Sequence, residues 1–421
     1  MRLYRSFWLV LVSPLAIASE GQPLTLDAAV EQALESAPQV TSGVAGVEAA
    51  QSIVLSAGRL PDPSLIIGVD NLPVNGADAY STTADFMTMR KVGVTQQFPR
   101  LEKRRLQHAR AQADADIADA ELTRTRLEVA RETAQAWIRV VTASSAFDQL
   151  RALQPDIELD ATSARANLAA GRGSSADALT GETAVARLKN RLLQLQGEVR
   201  AARAELARWI GDAAQGPLAA LPSFEDLPVS PETIVSSAHL HGDLLPYEAR
   251  LTAARTDVEL ARAERRPDWA AEISFAKRGP DFSDMASIQF TIGLPLFAKY
   301  RQDPVVRARS ASLRQVEAAR ESEIRMHTAE LQGAVIRWQQ LGEQLAQYQR
   351  ELLPLARERS QVALAAYRAG TGDLRGSIEA FSAETDLLIE VATLQNLRGE
   401  AWSSLRYLEA QHVHPGTQAT P

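Results

Sequence analysis

Leu168-Ala169-Ala170-Gly171-Arg172-Gly173 ends one long helical run, and Tyr367-Arg368-Ala369-Gly370-Thr371-Gly372 ends another about 200 residues later. Sixteen residues before the first glycine of each stretch stands a lone proline, Pro155 and Pro354. Trp137 and Trp338 fall at nearly the same offset. Earlier in the chain Arg59-Leu60-Pro61-Asp62 answers Arg265-Arg266-Pro267-Asp268, and Phe98-Pro99 answers Leu294-Pro295. Solenoid repeats recur at roughly 20–50 residues, so this spacing belongs to a large structural unit written twice. The fold can therefore be read once and doubled.

Within one unit the pattern changes period. Leu24 to Ser36 reads as a short amphipathic helix capped by Thr25 and ended by Pro38; Gln39 to Gly58 reads as a second. Then alternation takes over. Leu65, Ile67 and Val69 point one way, with Ile66 breaking the pattern, and Val92, Val94 and Phe98 oppose Lys91, Thr95 and Gln97. In the copy, Trp269, Ala271, Ile273 and Phe275 alternate with Glu272 and Ser274. Ile288, Phe290, Ile292 and Leu294 alternate with Gln289, Thr291 and Gly293. Polar loops, Leu72 to Asp85 and Lys277 to Asp284, join each pair. Period two marks strands with one apolar and one wet face. The alternation alone fits equally well a half-buried hairpin of a soluble domain.

After Pro99 the helical period returns. Leu106, Ala109, Ala113, Ile117, Ala120, Leu127, Ala130, Ala134, Trp137 and Val141 keep the three/four spacing of a coiled-coil seam. The spacing predicts one helix from residue 101 to about 169, on the order of 100 Å long, with Pro155 as its only breaker. Its copy starts at Asp303-Pro304 and runs to Ala369. The two prolines predict matching bends near the helix ends. Each glycine turn supplies the positive φ that stops the helix, and Ser175 or Asp373 is positioned to cap a returning helix, about 176–210 and 374–409.

Asp and Glu (52) outnumber Lys and Arg (45), giving a net charge of −7, which argues against nucleic acid as a partner. The absence of cysteine excludes disulfides, thiolate metal sites and a lipid-anchored cysteine. Arg2 and Arg5, the apolar run Phe7 to Ala18 and the Ala16-Ile17-Ala18 cleavage signature read as a secretory signal. No other segment has the length of a membrane-spanning helix, so a membrane form would have to be a closed barrel. The reading divides the chain into a signal peptide (1–18), a first repeat (19–211), a Pro/Ala/Gly-rich linker (212–231), a second repeat (232–410) and a tail (411–421). Strands fall within 63–98 and 268–297, and helical hairpins over 101–210 and 304–409. No nucleophile–base constellation, phosphate loop or metal-ligand spacing stands out. The residues therefore give no enzyme and no cofactor.

A short helix, a strand hairpin, a very long helix, a glycine turn and a shorter return helix, all repeated, resemble the TolC family of outer-membrane channel proteins over nearly the whole mature chain. The resemblance implies a mostly α fold carrying a membrane β-barrel. Three chains would give four strands each to a twelve-stranded barrel, and the helices would build a periplasmic tunnel. It implies a homotrimer in outer-membrane lipid that works with a periplasmic adaptor (membrane fusion) protein and an inner-membrane RND-type transporter. The apolar strand faces would meet lipid, with Phe98, Trp269, Phe275 and Phe297 as an interfacial belt. Pro61-Asp62-Pro63, Met87-Thr88-Met89-Arg90 and Gly93-Val94-Thr95-Gln96 look most like the heavy-metal branch of CusC and CzcC type. Glu102 stands where that branch has glycine after Phe-Pro. Multidrug efflux or type I secretion are alternative duties of such a duct. A periplasmic coiled-coil adaptor is the alternative of another class, although two hairpins with intervening strands argue against it.

The resemblance also assigns roles. The turns Gly171, Gly173, Ser174, Gly370, Thr371 and Gly372 would be the tip that docks the adaptor. Glu379 aligns with an acid that rings the closed aperture, and Asp177 takes the matching place in the first copy. Both acids also read as ordinary solvated carboxylates. Met87 and Met89 are soft donors that more commonly only pack, and His412 and His414 fall in the tail.

Overall fold

The computed structural model describes residues 22–409. The expected signal peptide and the tail histidines His412 and His414 lie outside the described residues. In chain order the elements are α1 (Leu26–Ser36), α2 (Pro38–Ser56), β1 (Ser64–Asp70), β2 (Met89–Phe98), α3 (Leu101–Ala152), α4 (Gln154–Ala169) and α5 (Ser175–Ile210). There follow α6 (Pro231–Ser236), α7 (Leu245–Ala263), β3 (Trp269–Lys277), β4 (Met285–Ile292), α8 (Gln302–Gln347), α9 (Leu353–Arg368) and α10 (Leu374–Arg406). The chain forms two compact units. One comprises residues 22–33, Glu132–Asp226 and Gln339–Ser403; the other comprises Leu34–Arg131, Leu227–Trp338 and residues 404–409.

In the second of these units the four strands make one antiparallel sheet in the order β1-β2-β3-β4. Its register aligns the alternation of every strand. Leu65 faces Val94, Val94 faces Ile273, and Ile273 faces Ile288, so the apolar sets share one face. Thr95 faces Glu272, and Glu272 faces Gln289, on the other. The apolar face is bare: Ile67 is 76% exposed, Ile288 68% and Phe290 66%. The polar face carries the Lys91–Glu272 ion pair at 2.6 Å. A sheet in a soluble domain buries its apolar face and wets its polar one. Here the apolar side is the one left open. β4 ends at Ile292, so Leu294, expected in the strand, lies beyond it.

The base of the sheet is tied to the helices by Lys103, only 3% exposed. Its ammonium reaches Asp268 at 2.7 Å and Glu264 at 3.1 Å, and the other Asp268 oxygen accepts from the Arg100 amide at 3.0 Å. Burial works against the charge, but the two carboxylates outweigh it and hold Lys103 above its ordinary range. Farther along the unit Arg131 grips both Asp243 oxygens, at 2.8 and 3.0 Å, and the Tyr407 carbonyl at 3.0 Å. Ile234, Leu331, Val335, Leu405 and Leu408 form the apolar core there.

Beside that core His241 and His327 are buried edge to face, with Nδ1 of one 3.1 Å from Nε2 of the other. Burial, reinforced by His327, lowers His241 from 6.5 to about 4. An unfolded chain at the ordinary value binds more protons than the folded one between those limits. The contribution of His241 to stability is therefore full above about pH 6.5, falls as pH drops towards 4, and levels off below it. Thermal melts between pH 7 and 4 are expected to show that loss, and His241→Gln is expected to flatten it. An equal slope in the variant would remove His241 as the source.

In the other unit Ala146, Leu150, Ile157, Leu188, Leu192 and Leu195 pack the first helical hairpin, and Leu341, Leu345, Leu353, Leu388 and Leu394 the second. The linker is held rather than loose. Leu24 bridges Leu218, Trp137 Nε1 donates to the Leu24 carbonyl at 3.2 Å, and Trp402 Nε1 donates to Asp226 at 2.8 Å. The seam expected on α3 is too narrow for its middle. Val129, Ala136, Ile138 and Val140 are buried together with Leu127, Ala130, Ala134 and Trp137. The expected unbroken helix is also interrupted. α3 is 52 residues, about 78 Å, and stops before Leu153. Pro155 lacks the N–H that would continue the ladder and sits in the first turn of α4 instead. In the copy the backbone widens into a π turn, Tyr348–Leu352, directly before the Pro354 turn of α9.

Candidate functional site: the helix turns

Both turns close by one hydrogen-bond scheme. Arg172 N donates to Asn167 O at 2.9 Å and Gly171 N to Leu168 O at 2.9 Å; Thr371 N donates to Ala366 O and Gly370 N to Tyr367 O, each at 3.0 Å. This six-to-one, five-to-two pair places the residue after the helix in the left-handed region. Gly171 has φ +72° and Gly370 φ +73°. The second glycines serve differently. A Cβ on Gly173 would come within 3.0 Å of the Leu168 amide, and one on Gly372 within 3.0 Å of the Ala366 side chain. The first glycine is required by conformation, the second by close approach.

The returning helices are capped by neighbours of these glycines. Ser174, not the expected Ser175, caps α5: its Oγ accepts from the Asp177 amide at 3.0 Å and donates to the Asp177 carboxylate at 2.7 Å. Ser175 is already the first helical residue. In the copy Asp373 Oδ1 accepts from the Gly376 amide at 2.9 Å. Thr371 turns its hydroxyl back onto Ala366 O at 3.2 Å. The two candidate aperture acids differ in setting. Asp177 is exposed in the first turn of α5, steadied by Ser174 and by the positive end of the helix. Glu379 is exposed on α10 between buried Ser377 and Ala380.

One constellation escaped the sequence reading. Asp156 and Asp160 lie one helical turn apart on α4, and Arg368 of α9 approaches them at 3.4 and 3.5 Å. Asp160 is 2% exposed, and its burial raises its carboxyl above the usual range despite Arg368. The two hairpins are thereby tied close to their turns. The four-residue carboxylate spacing was visible in the sequence, but its arginine is more than 200 residues away. Between α5 and α10 an open groove of about 650 Å³ is lined by Leu179, Thr183, Arg187, Ile378, Phe381 and Asp386.

Met89 lies on β2 on the polar face, and Met285, which the sequence reading did not single out, joins it there on β4. Met87 is in the preceding loop, its amide bonded to Asp85. Among the described residues no cluster of three or more His, Cys, Asp or Glu side chains could hold a metal ion. No described helix is long and apolar enough to cross a membrane.

By sequence, no family model and no curated protein matches the chain. By fold it is similar to solved outer-membrane channels. The outer membrane protein VceC from Vibrio cholerae agrees with a TM-score of 0.75 at 19% identity, over 90% of this chain and 94% of that one. The CmeC outer membrane channel of Campylobacter jejuni agrees at 0.77 and 13% identity, over 91% and 84%. CusC, whose structures concern folding and transmembrane channel formation, agrees at 0.76 and 17% identity, over 90% of each chain.

Proposed function

We propose that this chain is the outer-membrane exit duct of a tripartite efflux system in a Gram-negative cell, acting as a homotrimer with a long periplasmic extension. The observation that carries the reading is the four-stranded sheet with its apolar face uncovered, its polar face charged, and the outer edges of β1 and β4 without a strand partner among the described residues. Exposed edges and exposed apolar strands are aggregation hazards in water. Closure of several copies into a barrel removes the edges, and lipid covers the apolar band. Four strands per chain keep every seam antiparallel, and three chains give twelve. The likeness in fold to outer-membrane channels supports the same conclusion.

The duct performs no chemistry and needs no cofactor; the energy would come from an inner-membrane RND-type transporter. The glycine turns would dock a periplasmic adaptor, and the groove between α5 and α10 offers apolar walls near those turns. Heavy-metal cations are the cargo we favour, on the resemblance of Pro61-Asp62-Pro63 and the Met87–Gln96 stretch to that branch. Deleting the gene and challenging cells with copper, silver, zinc and a panel of drugs tests the cargo. Loss of resistance to drugs alone would move the duct to multidrug efflux.

The aperture assignment yields its own expectation. Three copies of Glu379 in a narrow mouth would attract cations, and salt would screen them only partly. Glu379→Gln is expected to lower cation preference and weaken divalent block in planar bilayers, and Asp177→Gln to act in the same direction but less, because Ser174 already engages that carboxylate. Unchanged selectivity in the double variant would place both acids on the solvated outer side.

A further inference from the structure

The internal repeat supplies a partner for two charged groups that have no ion pair among the described residues. We propose that Lys299 forms an ion pair with Asp62 of a second copy of this chain, at a β4–β1 seam whose register the repeat determines. The proposal rests on the closed-barrel reading.

The two halves of one chain match at the strand ends. Phe98-Pro99-Arg100-Leu101-Glu102-Lys103 starts at the last residue of β2, and Leu294-Pro295-Leu296-Phe297-Ala298-Lys299 follows β4. Arg265-Arg266-Pro267-Asp268 precedes β3, and Arg59-Leu60-Pro61-Asp62 lies just ahead of β1. Lys103 therefore corresponds to Lys299, and Asp268 to Asp62. The strand register independently supports this correspondence. It carries the pair Ser64–Thr95 onto Ala270–Thr291, Ile67–Val92 onto Ile273–Ile288, and Asp70–Met89 onto Ala276–Met285, and all three images are observed pairs. The two hairpins are thus one structure in one register.

Among the described residues the seam between the hairpins, β2–β3, occurs once. At β2–β3, Lys103 is buried and meets Asp268 at 2.7 Å. The equivalent seam would join β4 to β1, but these are the two outer strands of the sheet. Its groups stand open. Lys299 and Asp62 are both exposed, and the ammonium of Lys299 only lies 5.7 Å from the Tyr300 ring centre. Leu294, Leu296 and Phe297 are 66%, 75% and 67% exposed, whereas Phe98, the counterpart of Leu294, stacks on Trp269 at 4.3 Å. A basic group and an apolar segment left uncovered on one edge, and a carboxylate beside the other, are complementary halves of one contact.

Carrying the β2–β3 register across the repeat gives the seam residue by residue. Val94–Ile273 becomes Phe290 beside Ile67 of the partner subunit, Val92–Phe275 becomes Ile288 beside Val69 of the partner subunit, and Thr95–Glu272 becomes Thr291 beside Ile66 of the partner subunit. The first two pairs set apolar against apolar on the bare face, so the face pattern continues unbroken around the ring. A slip of one residue would turn one strand over and destroy that match.

The chain has no cysteine, which makes the test direct. Thr291→Cys with Ile66→Cys in the full-length protein, isolated in outer membranes, is expected to give chain-to-chain disulfides. Gln289→Cys with Ile66→Cys, two positions out of register, is not, because diagonal neighbours lie too far apart. Lys299→Asp and Asp62→Lys are each expected to lose the heat-resistant oligomer band on gels, and the charge-exchanged double variant to recover it. Disulfides from the displaced pair, or from neither pair while the protein still conducts in bilayers, would overturn the register and leave the duct standing. Single variants as heat-resistant as the parent would overturn the ion pair. Unsubstituted protein that neither oligomerises nor conducts would overturn the barrel reading and the seam with it.

Discussion

Arginine in place of Ile273 or Phe290 is expected to cost about 2–4 kcal/mol per chain where the residue lies near the bilayer midplane, less towards its edges. Both side chains belong to the bare face, 64% and 66% exposed. In a symmetric oligomer each substitution enters once per chain, so the loss is multiplied at one level of the barrel. The expected outcome is loss of assembled protein from the outer membrane. The same change at Thr291, on the opposite face of β4, is expected to be mild because that side chain would look into water. Urea titration of refolding into vesicles measures both. Equal tolerance at the two sets would mean that the faces are assigned wrongly.

Gly171→Val or Gly370→Val is expected to abolish efflux-dependent resistance while leaving oligomers in the outer membrane. The reason is local. Beyond the adjacent residues no atom lies within 4 Å of a Cβ built on either glycine, so the added carbon has open space. The penalty comes from holding a β-branched residue at φ near +70°, on the order of 1–2 kcal/mol or more. That strain reshapes the turn without reaching the cores of the two hairpins. Asparagine, which tolerates the left-handed region, is expected to retain most of the resistance at the same positions. Crosslinking yield to the adaptor should follow resistance. Normal resistance with intact crosslinking in both valine variants would separate the turns from docking.

The elements that could be read ahead of the structure were those specified locally. Gly171 and Gly370 announce left-handed stops, and Asp373 a cap, because a turn needs particular residues within a few positions. Alternation in 92–98 and 288–292 gave both strands and their faces, since a strand's side chains must take sides. What escaped depends on neighbours distant in sequence. Whether the apolar face was buried or bare could not be decided from alternation, because covering it is a matter of what packs above. The middle of α3 is surrounded on several sides, so one seam of spaced alanines understated its burial. The interruptions at Leu153 and at Tyr348–Leu352 differ although both precede a proline, so the proline alone does not choose between a restart and a π turn. Ser174 rather than Ser175 caps α5, a shift of one residue that two adjacent serines leave undecided. The Arg368 tie to Asp156 and Asp160 required knowing that α9 and α4 meet.

The central claim is that this sheet is the wall of a lipid-embedded barrel, and spin labels placed singly from Ile288 to Ile292 in reconstituted protein test it most directly. Accessibility to oxygen, which concentrates in lipid, and to a water-soluble nickel chelate should alternate residue by residue. The account predicts oxygen-accessible labels at Ile288, Phe290 and Ile292 and chelate-accessible labels at Gln289 and Thr291. Chelate access at all five positions, with no alternation, would contradict it.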